Sequence, residues 1–195
     1  MRFGRASEGG KRTRMPLRIS VRNDPTTPFA SLPWCLGKKM DDVIVYGLSS
    51  DRSRQFVERF LQHFGSRRTR CQDEYEYPQF ADPPDCVYTS DELLFDRLAS
   101  ETNVPYQLYW NVTSAHARLQ VRQAIVGYTN DGCVIVGIPV PEQSARAALN
   151  EMQQALQVRW AMMTGDECPP DSASRFQELC RAAELPRILG GKLHA

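Results

Sequence analysis

The sequence predicts an α+β fold in which helices pack on a mainly antiparallel sheet. Three apolar, strand-like runs follow one another in the second half of the chain, and an Asp-Gly turn joins two of them as in a hairpin. Other segments carry apolar residues at helical spacing. The 195 residues are 42% hydrophobic and 24% charged, which is typical of a globular chain with a core of its own. We therefore expect one layered domain without internal repeats.

The first half predicts two strand–helix units. Residues 42–48 form a short apolar run rich in β-branched side chains, which is typical of a buried strand. Ser49, Ser50 and Asp51 then offer N-cap oxygens for a helix that ends at Gly65. A short strand is expected after the basic cluster Arg67, Arg68 and Arg70, and a second helix from Ser90 to Ser100. The first helix has one apolar face, formed by Phe56, Val57, Phe60, Leu61 and Phe64.

The second half predicts a meander followed by two helices. The strands are expected at 106–112, 119–128 and 133–140. Pro141 and Glu142 suit the first turn of a long helix. A short strand over 160–163 and a last helix carrying Phe176 and Cys180 complete the domain. The apolar stripe of the long helix comprises Ala145, Ala148, Leu149, Met152, Ala155 and Leu156.

Charge divides the chain into a basic arm, an acidic body and a short tail. Residues 1–39 have a local net charge of +7, residues 40–195 one of −6, and the whole chain +1. We expect 1–39 to be a flexible solvated arm, 40–185 the globular domain and 186–195 a loose tail. The acidic body favours a basic partner and argues against nucleic acid. No apolar run approaches the ~20 residues that cross a membrane, and no signal segment is visible, so a cytoplasmic protein is expected.

The sequence contains no assembled catalytic, cofactor or metal motif. Phosphate-binding loops, nucleophile elbows and zinc spacings are all absent. The six cysteines are sparse and unpaired in spacing, which favours reduced thiols in the cytoplasm. Cys71 follows three arginines that would lower the pKa of a thiol, but strand packing is the preferred interpretation. His63 and His116 lack a neighbouring nucleophile motif. We expect no enzyme activity, cofactor or metal.

The segment 73–85 is the candidate partner-binding site. Its prolines argue against a central strand, and its acidic and aromatic content is unusual for a passive loop. Tyrosine anchors and carboxylate steering are typical of a surface that recognises a basic protein. A merely solvated loop is the alternative. The predicted contact residues are Asp73, Glu74, Tyr75, Glu76, Tyr77, Phe80, Asp82 and Asp85.

The layout of residues 104–185 resembles small bacterial immunity proteins of polymorphic-toxin and type VI secretion antagonism systems. The resemblance lies in the turn 130–132, the strand 134–138, the following helix rich in Ala, Leu and Gln, the run 168–170 and Phe176. It implies a non-enzymatic protein that covers the active site of one cognate toxin, and it transfers no functional residue. A ligand-sensing or adaptor domain, and an enzyme with an unrecognised site, remain as alternatives.

Overall fold

The computed structural model describes residues 42–113, 118–165 and 168–184. The predicted arm and tail, with Cys35, His116 and His194, lie outside these ranges. The described residues form four helices: α1 (Arg54–Phe64), α2 (Asp91–Ser100), α3 (Glu142–Leu156) and α4 (Ala173–Glu184). They form eight strands: β1 (Asp42–Ser49), β2 (Arg68–Arg70), β3 (Tyr75–Tyr77), β4 (Cys86–Tyr88), β5 (Tyr106–Val112), β6 (Gln123–Tyr128), β7 (Val134–Pro141) and β8 (Trp160–Thr164).

Six strands form one antiparallel sheet in the order β2-β5-β6-β7-β1-β8, and β3 and β4 form a separate hairpin. The meander β5-β6-β7 occupies the middle of the sheet, and α3 crosses from β7 to β8 over β1. The predicted α+β class with a mainly antiparallel sheet is therefore confirmed. None of the described helices combines the length and the apolar character that a membrane crossing needs.

Side-chain alternation gives the sheet two buried faces. On the first face, Val45, Trp110 and Val136 join α1, α2, α3 and the β3–β4 hairpin in one core cluster. On the second face, Tyr46 lies over Gly137, and Pro169, which precedes α4, lies beside Gly127. Both faces are covered, so most sheet residues are apolar rather than alternating with polar ones.

The predicted core residues lie in the core. Phe56, Phe60 and Met152 are at most 1% exposed, and Leu149 is partly buried at the edge of the cluster. Helix α1 begins later than Ser49, Ser50 and Asp51 predict, because its N-cap is Ser53, whose hydroxyl accepts a hydrogen bond from the Phe56 amide at 3.3 Å.

Candidate protein-binding surface

The β3–β4 hairpin separates tyrosines from carboxylates by strand alternation. Tyr75 and Tyr77 are each 1% exposed and belong to the core cluster, whereas Glu74 and Glu76 are exposed. Successive side chains of a strand point to opposite faces, so the acidic sequence still buries two aromatic rings. The prediction that these tyrosines lie at the surface as partner anchors is therefore wrong. They instead attach the acidic hairpin to the domain.

Tyr77 is held by contacts on both sides of its ring. It stacks on Tyr106 with centroids 6.3 Å apart and 13° between planes, and it meets the edge of Tyr88 at 6.3 Å. Its hydroxyl donates a hydrogen bond to the Glu101 carboxylate. The Arg97 guanidinium lies 5.2 Å from the ring centroid of Tyr77 and also pairs with Glu101 at 2.5 Å. The hairpin is thus fixed to both α2 and β5.

A polar corner around Asp91 fixes the other end of the hairpin. The Trp110 indole donates to Asp91 Oδ2 at 3.0 Å, and Arg70 Nη1 lies 3.8 Å from Asp91 Oδ1. Arg70 also donates to the Thr89 carbonyl at 2.6 Å. Burial raises the pKa of Tyr75, and the nearby Asp91 carboxylate raises it further. Tyr75 and Asp91 are close enough to couple electrostatically, but the Tyr75 hydroxyl and Asp91 Oδ1 are not aligned for a hydrogen bond. Tyr75 therefore remains a neutral phenol.

The side chain of Gln79 completes the edge of β5 where β2 has ended. The Gln107 amide donates to Gln79 Oε1 at 2.8 Å, and Gln79 Nε2 donates to the Gln107 carbonyl at 3.0 Å. One carboxamide thus occupies the donor and the acceptor that a neighbouring strand would occupy. The hairpin loop is therefore attached to the sheet by a main-chain-like contact.

The outward side of this segment combines carboxylates with two exposed apolar side chains. Phe80 is 50% exposed and Val87, which lies opposite Glu76 in the hairpin, is 48% exposed. Residues 73–93 contain seven Asp or Glu and no Lys or Arg. We define the acidic surface as the exposed side chains of Asp73, Glu74, Glu76, Phe80, Asp82, Asp85 and Val87.

Phe80 has an uncommon backbone conformation for a bulky residue. Its φ of 67° lies in the left-handed region, where a Cβ meets the backbone. Hydrogen bonds from Ala81 to the Pro78 carbonyl (3.2 Å) and from Asp85 to the Tyr77 carbonyl (2.8 Å) hold the loop around it. Backbone strain that the surrounding structure maintains is often found at functional positions. Phe80 is therefore the strongest candidate for a functional position on the acidic surface.

The other candidate groups do not assemble around a common site. Cys71 is exposed, and partial burial raises the pKa of its thiol, so the nearby arginines do not activate it. His63 lies 2.9 Å from Glu151, between α1 and α3. Within the described ranges, no three His, Cys, Asp or Glu side chains group as they would around a metal ion.

Arg52 is the interacting residue that the sequence analysis missed. It is 6% exposed, and it donates hydrogen bonds to five main-chain carbonyls, with a guanidinium carbon 4.9 Å from the Tyr128 ring centroid. Burial lowers the pKa of Arg52, although neighbouring side chains partly offset this effect. No sequence pattern marks it, because an arginine within a capping stretch is normally solvated. The accepting carbonyls belong to Leu98 (2.7 Å), Glu101 (2.6 Å), Val104 (3.3 Å), Thr129 (2.8 Å) and Cys133 (3.3 Å).

Comparison with known proteins adds no relative. No family model, no curated protein and no solved structure matches this chain.

Proposed function

We propose that this chain is a bacterial immunity protein, which neutralises a cognate antibacterial toxin by covering the toxin's active site with the acidic surface. The observation that carries the proposal is Phe80, which is half exposed in a left-handed backbone conformation within a segment, 73–93, that contains seven Asp or Glu and no Lys or Arg. Exposed aromatic residues on a preorganised surface are typical centres of binding energy. The resemblance to immunity proteins of type VI secretion antagonism agrees with this proposal.

The rigid attachment of the hairpin supports high affinity. A surface that is already ordered avoids the entropic cost of ordering loops on binding. Buried Tyr75 and Tyr77 and the Gln79 amide hold the acidic surface before any partner arrives. The carboxylates then steer a basic partner and accelerate association. A toxin with a basic active-site rim is therefore the expected partner.

The proposal places the protein in the reducing cytoplasm, where it would meet an incoming toxin. Cys71, Cys86 and Cys133 are free thiols, as they would be in that compartment. We infer no chemistry by the chain itself, since binding alone blocks an active site.

The test is complex formation between this chain and the products of the genes adjacent to its own gene. Both proteins are co-expressed, and association and dissociation rates are measured at two salt concentrations. Phe80→Ala should raise the dissociation rate by ~30-fold, which corresponds to about 2 kcal/mol at a hot spot. Glu74→Gln with Glu76→Gln should lower the association rate and its salt dependence.

Glu178→Gln is the matched control, because Glu178 is an exposed carboxylate on α4, outside the acidic surface. It should leave both rates unchanged. Absence of a complex with any neighbouring gene product would contradict the immunity function. If a complex forms but its association and dissociation rates do not change in the Phe80, Glu74 and Glu76 variants, the contact lies in another part of the chain.

A further inference from the structure

Four arginines lie at the end of the sheet where β2 begins. Arg68 pairs with Val112 across the β2–β5 ladder, and the Val112 amide donates to the Arg122 carbonyl at 2.7 Å. The Thr113 amide donates to the Arg67 carbonyl at 2.9 Å, so Arg67 belongs to the same end. Strands lie about 4.8 Å apart, which places Arg68 and Arg122 roughly 10 Å from each other. We define the basic end as Arg59, Arg67, Arg68 and Arg122.

The basic end keeps its charge free for a partner. Among the described residues, none of its four arginines forms an ion pair, whereas Arg54, Arg70, Arg97 and Arg175 all do. Arg59 and Arg68 also line a shallow depression of about 500 Å³ beside α1, where Gln55 and Gln62 add amide donors. Glu58 also lines it, but Arg54 holds that carboxylate at 2.5 Å. The basic end therefore fits carboxylates brought by another molecule, since guanidinium groups pair well with them.

The charge of the basic end cannot be neutralised by the acidic surface of the same chain. β2 runs from the basic end towards the hairpin, and Arg70 at its far end is already engaged by Asp91 and Thr89. Opposite charges are thus separated along β2. The net charge of the chain is nevertheless only +1, so two copies do not repel each other as a whole. Near-zero net charge favours association between copies.

We infer that the chain associates head to tail with a second copy of itself, with the basic end of one copy on the acidic surface of the next. A second copy carries the same acidic surface, and the carboxylates of that surface complement the arginines of the basic end. Nucleic acid fits less well, because the described residues at the basic end offer no exposed aromatic side chain for stacking, and the rest of the domain is acidic. Such contacts are heterologous, so they form short open chains rather than a closed dimer.

Head-to-tail contact would cover the acidic surface in the free protein. It stands independently of the proposed toxin, because it needs only the two charged surfaces of this chain. A toxin with higher affinity for the acidic surface would displace the neighbouring copy.

The test is sedimentation velocity of the full chain over a concentration series up to ~1 mM. It is run at about 10 mM and about 1 M salt, where screening lengths are roughly 30 Å and 3 Å. We expect concentration-dependent association at low salt that disappears at high salt. A monomer at every concentration in low salt would overturn the inference.

Complementary charge reversal gives the sharper result. The basic-end variant R67E/R68E/R122E and the acidic-surface variant E74K/E76K should each be monomeric alone. Mixed with each other at low salt, the native basic end of E74K/E76K should bind the native acidic surface of R67E/R68E/R122E. The mixture should therefore associate although neither variant associates alone.

Controls separate this contact from general charge effects and from misfolding. R146E/R159E/R175E changes the net charge equally on exposed arginines outside the basic end and should still associate. R67Q/R68Q/R122Q should weaken association at least ~10-fold with an unchanged melting temperature. Association that persists in both basic-end variants would overturn the inference. So would binding of a labelled single-stranded oligonucleotide through these arginines without self-association. Toxin binding by the basic-end variant is measured separately, because this variant keeps the native acidic surface on which the proposed function depends.

Discussion

At the scale of the residue, the guanidinium of Arg52 connects three loops through main-chain contacts. Its acceptors lie at the C-terminal end of α2, in the α2–β5 connection and in the β6–β7 turn. The carbonyls at the end of a helix lack intrahelical partners, and two of the five acceptors, those of Leu98 and Glu101, are of this kind. A planar group with five donors satisfies them together.

Arg52→Lys should therefore lower the free energy of unfolding by about 3 kcal/mol or more, because an ammonium group offers three donors without the planar fork and leaves carbonyls unsatisfied. Urea denaturation measures the change. Arg146→Lys, at an exposed position on α3, should stay within about 0.5 kcal/mol of the parent. Equal stability of the two variants would mean that water replaces the missing contacts of Arg52.

Gly137 leaves the space that the ring of Tyr46 occupies. A Cβ at this position would lie 2.4 Å from Tyr46 Cε1 and 2.5 Å from Cδ1. Gly137→Ala should therefore lower the free energy of unfolding by about 1–3 kcal/mol through overpacking. Gly127→Ala in the adjacent strand is the control, since its nearest atoms would be at 3.8 Å and 3.9 Å. Thermal melts that shift equally for both would show that the cost arises from the strand backbone.

Residue identity alone did not predict which side of the hairpin the tyrosines occupy. The acidic and proline-rich composition of 73–85 was read correctly as peripheral, since β3 and β4 stand outside the main sheet. Buried and exposed side chains alternate over Glu74–Tyr77, but this alternation is hard to detect in the sequence because only three residues pair in each strand. Whether the exposed residues of the acidic surface bind a partner stays a prediction.

At the scale of the element, helices were predictable where caps and stripes coincided. Gly65 ends α1 and Pro141 precedes α3 as predicted, whereas the N-cap of α1 is Ser53 rather than Ser49, Ser50 or Asp51. The strand predicted over 119–128 begins only at Gln123, because Gln120 has a φ of 53° and turns the chain. A positive φ at a glutamine leaves no signal in a single sequence.

The N-terminus of α4 is capped from another element. The carboxylate of Asp131, in the β6–β7 turn, accepts from the Ala173 amide at 2.8 Å and the Ser174 amide at 3.2 Å. Partial burial acts to raise the pKa of Asp131, but hydrogen bonds from Ala173, Thr129 and Ser174 outweigh it, and the pKa lies below its ordinary value. The stabilisation is therefore present above the ordinary pKa of about 3.9, and it is lost as the pH falls through the lowered value.

Asp131→Ala should cost about 1 kcal/mol at pH 7, as for other capping residues, and the difference from the parent should shrink towards pH 3. Urea titrations at several pH values measure it. Ser172→Ala is the control, because its hydroxyl caps Arg175 at 3.3 Å without titrating. A pH-independent loss for Asp131→Ala would contradict the role of the charge.

At the scale of the whole molecule, charge separation was only partly visible in the sequence. The basic run 67–70 and the acidic run 73–85 are adjacent along the chain. The register of β2 with β5 then assigns Arg67 and Arg68 to one end and turns Arg70 towards Asp91. Arg122 joins the basic end only through the meander. Such long-range neighbours are set by the sheet, which one sequence specifies only indirectly.

The reactivity of the thiols distinguishes the folded protein from the unfolded protein. Cys71 is exposed and Cys180 is 2% exposed, so a thiol reagent should label Cys71 in a fast native phase and Cys180 only after unfolding. Because burial raises the pKa of Cys71, its rate should still increase above the ordinary thiol pKa of about 8.5. Denatured protein should yield all six thiols. Cys71→Ser should lower the amplitude of the fast phase by one thiol, and a total near zero would contradict a reducing compartment.

Deamidation of the Gln79 carboxamide is expected to lower the solubility of the protein. Deamidation to glutamate would keep an acceptor for the Gln107 amide but remove the donor to the Gln107 carbonyl at 3.0 Å. Two oxygens would then face each other, and the edge of β5 would open. An open strand edge is a template for pairing with other chains. We therefore expect slow precipitation during storage, accompanied by a gain of one negative charge per molecule.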